Sequence, residues 1–193
     1  MISGWRLPTY AIIGGERYDI HCDYRDILEI FSYFSDPDLP DFLQWKIALA
    51  LFYDRSIPQE QEMEAITFLS DFINGGQPSA PGRGKAILDW EQDAELIVAD
   101  MNKTAGQEIR ALPFLHWWTF LSWFHAIGEG QLSSVVSIRE KLNRGKKLEG
   151  WEKEYYRDNK YRVDMKKRHS RQELQERQQL EQMLASNDER QVK

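Results

Sequence analysis

Residues 112–130 read LPFLHWWTFLSWFHAIGEG, with six aromatic side chains among the eleven residues from Phe114 to Phe124 and histidines at 116 and 125. Four readings compete for such a run: a metal site, a membrane segment, a nucleobase-stacking platform or buried packing. The run reads as one helix, starting at or near Pro113, a good first-turn residue, and stopping at Gly128-Glu129-Gly130. His116 and His125 are nine positions apart, which places them on opposite faces of a straight helix, so they cannot share a metal ion. The sequence has no HExxH motif and no His-x3-His pair. The apolar stretch of about 17 residues falls short of the roughly 20 that a membrane span needs. Around the helix, Trp123, Ile127, Phe120, Phe124, Trp117, Leu121, Phe114 and Trp118 cover about 220° of arc, and a helix that apolar is buried on most sides. His116, Thr119 and Ser122 form a drifting small or polar stripe. The expectation is core burial, with part of the surface available to an oligomer interface, where aromatics dominate.

Upstream, Tyr10–Ile13 and Arg17–His21 flank Gly14-Gly15, a pair that supplies the positive φ angles of a two-residue hairpin turn. A lone hairpin is marginal and must lean on helices. Asp23 is an N-cap candidate, with Asp26 completing an imperfect capping box. It opens a helix whose apolar face is Ile27, Ile30, Phe31 and Phe34. Pro37 and Pro40 break the chain. A second helix spans about 41–53, and a third runs from near Pro58 to near Asn74, with Glu60, Glu62 and Glu64 in its positive N-terminal turns. NGGQPSAPGRGKA (74–86) is the clearest linker. Residues 87–103 read as helix, with Leu88, Ala94, Ile97, Val98 and Met101 on a broad apolar face and Asp89, Asp93 and Asp100 on a solvated one.

Downstream of the aromatic helix, residues 133–143 form another helix, ended by Gly145. From Leu148 the composition turns to Glu, Gln, Lys and Arg. Trp151 and Tyr155, at i and i+4, make one patch that can pack. Beyond Arg168 only Leu174, Leu180, Met183 and Leu184 are apolar in a helical pattern, too thin a stripe to hold a helix on a core. This segment is expected to be an exposed helical arm, with Leu174, Leu180 and Leu184 as anchors for a helical partner or a neighbouring copy. The fold class is therefore mainly α: an N-terminal β-hairpin, a multi-helix body and an extended C-terminal helical arm. The chain divides into residues 1–75 (hairpin plus helices), 76–86 (Gly/Pro linker), 87–147 (central helices) and 148–193 (charged arm).

Composition bounds the function. The 193 residues are 41% hydrophobic and 29% charged, which suits a globular helical protein and excludes wholesale disorder. The single cysteine, Cys22, excludes an intramolecular disulfide and multi-cysteine metal sites. MISGWRLPTY has no basic region followed by an apolar run, so no signal peptide is expected and a cytoplasmic location is the default. Residues 1–138 hold 9 basic and 20 acidic side chains, net −11, while residues 139–193 hold 16 and 11, net +5. A basic tail on an acidic body can face nucleic acid, its own body or a neighbouring copy. Its interspersed acids argue against nucleic acid. SAPGRGKA (79–86) resembles a P-loop but has Ser79 where the first glycine belongs and Ala86 where Ser or Thr must bind the metal. No GxSxG occurs, and Cys22 lacks a nucleophile signature. No catalytic, metal or cofactor residue is expected.

Three stretches go further: DWEQDAELIVADMNKTAGQEIR (89–110), residues 112–149 and WEKEYYRDNK (151–160). With GGERYDIHCDYRD (14–26) and PGRGKAILDW (81–90), they resemble the bacteriophage gene-product-fifteen family, small proteins of tailed phages and prophages of Gram-positive bacteria. The resemblance covers most of residues 10–165. Such genes lie between those for the major tail protein and the tape-measure protein, the position of tail assembly chaperones of siphophages. The resemblance thus implies a non-catalytic chaperone in the host cytoplasm, with the tape-measure protein and the major tail protein as partners; the charge split between body and tail adds head-to-tail self-association as a hypothesis. No membrane partner is implied. A structural tail or connector component of the virion, and a nucleic-acid-binding regulator, are the alternatives. Trp151, Tyr155, Leu174, Leu180 and Leu184 are the candidate protein-binding residues.

Overall fold

A computed structural model describes residues 5–77 and 85–179. It is mainly α-helical, with an N-terminal hairpin of β1 (Tyr10–Ile13) and β2 (Glu16–Asp19). Ile13 pairs with Glu16 across a turn in which Gly14 (φ 58°) and Gly15 (φ 82°) occupy the left-handed region, which costs a glycine nothing. Alternation turns Ala11, Ile13 and Tyr18 inward. The hairpin leans on the helices through main-chain bonds from His21 N to Phe52 O (2.8 Å) and from Asp54 N to Asp19 O (3.1 Å). At its tip, Gly14 N–H donates to Glu64 Oε2 (2.9 Å).

α1 (Tyr24–Phe34) starts where Asp23 accepts the Arg25 N–H, as an N-cap should. It buries Ile27 and Ile30 and half-buries Phe31 and Phe34. α2 (Asp41–Phe52) follows Pro40, and α3 (Glu62–Ile73) follows a 3-10 turn at Gln59–Gln61. Two tryptophans close the C-terminus of α3: Trp117 Nε1 donates to Ile73 O (2.8 Å) and Trp118 Nε1 to Phe72 O (2.9 Å). They satisfy carbonyls that a helix end leaves without partners. Gly76 (φ 79°) approaches the Trp118 ring so closely that a Cβ there would lie 3.0 Å from it. The glycines that open the expected linker are thus a packed helix end. Residues 78–84 of that linker lie outside the described residues.

Two helix starts differ from the sequence expectation. α4 is Ala94–Ala105 and does not begin at residue 87. The Asp89 carboxylate accepts the N–H groups of Glu91 and Gln92, and Asp93 Oδ2 accepts the Asp89 N–H, so side chains bend residues 89–93 into a turn. Leu88 packs on the core from outside the helix, and Ala94 is exposed. The solvated face assigned to Asp93 and Asp100 is also corrected, because both are buried. Asp100 Oδ2 accepts the Leu132 N–H (3.0 Å) at the start of α6 (Gln131–Asn143), where a carboxylate complements the helix dipole.

α5 is Trp117–His125, four residues shorter at its start than Pro113 suggested. Residues 114–116 are instead drawn into extended pairing with residues 22–24. Tyr24 N donates to Leu115 O (2.9 Å), Trp117 N to Cys22 O (2.8 Å) and Leu115 N to Asp23 Oδ2 (2.8 Å). Phe114 therefore leaves the helical face and is exposed. His116 caps the helix: Trp118 N–H donates to Nδ1 (3.0 Å), so the proton is on Nε2, which reaches Pro8 O (2.9 Å).

Trp117 and Phe120 are fully buried, as core packing of the aromatic helix requires, and Leu121 and Phe124 are partly buried. Phe120 stacks on Trp117 (5.2 Å between centroids) and on Tyr24 (4.8 Å). Trp90 meets Trp117, Phe120, Phe124 and Phe31, binding the 89–93 turn to α5 and α1. After α6 come α7 (Gly150–Asp158), α8 (Lys160–Val163) and a last described helix at residues 171–179.

Candidate protein-binding surface

The C-terminal segment is anchored to the body by the Lys141–Glu152 ion pair, whose carboxylate is buried, and by main-chain bonds to a buried arginine. Arg139 of α6 grips Asp93 with both guanidinium Nη atoms, Nη1 to Oδ2 at 2.6 Å and Nη2 to Oδ1 at 2.9 Å, and the two side chains are 2% and 1% exposed. The remaining donor capacity goes to main-chain carbonyls: Nε to Val163 O (2.7 Å), Nη2 to Arg162 O (2.6 Å) and Nη1 to Ile87 O (3.1 Å). The planar fork thus ties α4, α6, α8 and the segment before α4 at one point, which lysine's point charge could not do. Val163 is buried beside it.

From there the chain crosses the start of α4. Gln92 Nε2 donates to Asp164 O (2.9 Å), and Lys166 N donates to Gln92 Oε1 (2.9 Å). Arg168 pairs with Asp89 (3.1 Å) and Glu91 (3.0 Å). Partial burial raises the Asp89 carboxyl, but the Gln92 N–H, Arg168 and the Glu91 N–H together hold it below its usual range. Arg168 also edges a groove of about 300 Å³ whose apolar lining is Leu28, Phe31 and Trp90. Arg171 reaches Asp38, in the loop between α1 and α2, with its backbone N–H (2.8 Å) and its guanidinium (3.4 Å).

The helix at 171–179, the arm helix, is then specified locally. Ser170 Oγ accepts the Glu173 N–H and Glu173 Oε2 accepts the Ser170 N–H, both at 3.1 Å, a reciprocal capping box. Every residue from 171 to 179 is exposed.

The candidate binding residues fall into two groups. Trp151 and Tyr155 sit one turn apart on α7. Trp151 is 54% exposed, while Tyr155 is partly buried against the core. Leu174 stands apart on the arm helix, 47% exposed. Leu180 and Leu184 lie outside the described residues. Sequence reasoning passed over a second apolar surface, Phe42 and Leu43 on α2 and Met63 on α3, all exposed. Apolar residues surround α2 almost completely, so periodicity could not say which of them faces out. It also passed over the Ser170–Glu173 box, although the Ser-x-x-Glu signature was legible.

Among the described residues no three His, Cys, Asp or Glu side chains are grouped to hold a metal ion, and no helix is long and apolar enough to cross a membrane. The surface combines a tethered, capped, exposed helix of mixed charge with apolar side chains that the body leaves uncovered. Comparison with curated proteins and with solved structures finds no match. The family model described as Bacteriophage Gp15 protein matches residues 6–165, from just before the hairpin to the end of the Arg139-bound segment, and the chain belongs to that bacteriophage family.

Proposed function

We propose that this phage protein acts by binding rather than by catalysis, as a tail assembly chaperone in the host cytoplasm. It holds the tape-measure protein soluble and brings tail-tube subunits of the major tail protein to it. The observation that carries the reading is membership of the bacteriophage Gp15 family over residues 6–165, joined to the gene position that this family implies. The arm supports it physically. A tape measure is a long helical protein with exposed apolar stripes, and a capped helix displaying Leu174 on a charged surface suits helix-to-helix docking.

Co-expression with the tape-measure protein followed by pull-down tests the proposal. The tape measure should become soluble and co-purify with the full chain, and truncation after Arg168 should weaken that association. A tape measure that stays insoluble and does not co-purify would end the reading. Mass spectrometry of purified virions separates the structural alternative: a chaperone is missing or sparse there, whereas a tail component is abundant.

A further inference from the structure

The starts of α2 and α3 carry the most exposed apolar side chains of the described helices: Phe42 is 70% and Met63 73% exposed. The two helices are joined by the Lys46–Glu62 ion pair. Phe42 lies one turn before Lys46, on the same side of α2, and Met63 follows Glu62 in sequence. Asp41, Glu60 and Glu64, exposed like them, are their near neighbours in sequence. The region is acidic throughout, since residues 1–77 hold 13 acidic and 5 basic side chains, net −8. Exposed apolar side chains among carboxylates suit a helix with a small apolar anchor and flanking cations.

The chain carries such a helix itself. Residues 166–179 hold 5 basic and 2 acidic side chains, net +3. On the arm helix Arg171, Leu174 and Arg177 follow at i, i+3 and i+6, on one side. Within one chain the two surfaces do not cover each other, because Leu174, Phe42 and Met63 all remain exposed. Yet Arg171 is tethered to Asp38, only three residues before α2 begins, so each arm starts beside its own patch. Two copies related by a two-fold axis can therefore lay each arm on the other's patch, the commonest closed symmetry. We propose that the chain pairs with a second copy in this way. The arm helix of one protomer docks Leu174 against Phe42 and Met63 of its partner, with Arg177 facing the carboxylates near them while Arg171 keeps its own Asp38. The inference does not rest on the chaperone reading, since the partner is the chain itself.

Sedimentation equilibrium of the full chain tests it with two variants altered only at exposed positions. One carries Phe42→Glu with Met63→Glu, and the other carries Leu174→Asp with Arg177→Glu. The unaltered chain should shift from one-chain to two-chain mass with rising concentration, and less so at high salt, which screens the ion pairs. Each variant alone should stay at one-chain mass with an unchanged circular dichroism spectrum. An equimolar mixture should recover a two-chain species at higher concentration than the unaltered chain needs, because one of the two arm–patch contacts remains. A one-chain mass for the unaltered chain at every concentration overturns the proposal. So does self-association of either variant at wild-type strength, a mixture that pairs no better than either variant alone at the highest concentration, or growth beyond two chains. Loss of tape-measure binding with pairing intact refutes the chaperone reading alone.

Discussion

At position 139 a single arginine anchors α8 to the body. Its partner Asp93 is 46 residues away in sequence, and both are removed from water. Replacing Arg139 with methionine would strand a buried carboxylate, which costs about 3–5 kcal/mol. Urea unfolding should register that loss, with Arg139→Lys recovering little of it because lysine lacks the fork. The double variant Asp93→Asn with Arg139→Met should lose less than Arg139→Met alone. Equal losses would mean that Asp93 is not the group left stranded. His116 supplies a pH test. Burial pushes its imidazole below the ordinary value of 6.5, against the opposing pull of the Pro8 carbonyl. Below its ordinary pKa the unfolded chain takes up a proton that the folded chain resists. The stabilisation is therefore complete above about pH 6.5 and is lost as pH falls from there towards the depressed folded value. Melting temperatures at pH 7.5 and 5.5 should differ more for the wild type than for His116→Asn, which keeps a capping oxygen but cannot titrate. Neither role was legible beforehand. Periodicity gave Asp93 and Asp100 to solvent because an isolated carboxylate belongs there, and only a distant partner reverses that preference.

At the scale of elements, the hairpin and the helices from α1 to α3 follow their local signals closely: Gly14-Gly15, the Asp23 cap, and the prolines at 37, 40 and 58. The two helix starts that differ share one cause. Residues 89–93 and 114–116 can continue a helix on their own propensity, but each makes better bonds elsewhere. The first folds on the Asp89 and Asp93 carboxylates, and the second pairs with residues 22–24. The aromatic helix is core, with Trp117 filling the space between Phe31, Trp90 and Phe120 and capping Ile73 O with its indole. Trp117→Ala should cost about 3–5 kcal/mol through the cavity it leaves. Thermal unfolding close to that of the wild type would contradict this placement.

Across the whole molecule, the boundary between body and arm falls after the Arg139-bound segment. Truncation after Arg168 removes a helix that is exposed throughout. The melting temperature of the body should hardly move, while association with a tape measure or a second copy should weaken. Truncation after Asn159 would remove Val163 and the carbonyls that Arg139 grips, and it should destabilise the body sharply. Thermal scans of both variants check the pair of expectations, and similar losses in both would place the boundary elsewhere. The sequence by itself determined the mainly α class, the hairpin, the burial of the aromatic helix and the family, because each rests on local periodicity, turn chemistry or a distinctive run of residues. Only the tertiary structure decided which acids are buried, where α4 and α5 begin and which apolar residues of α2 and α3 stay exposed. Each of these depends on a partner far away in the chain, and burial of a charge or release of a helical turn is favourable only once that partner is in place.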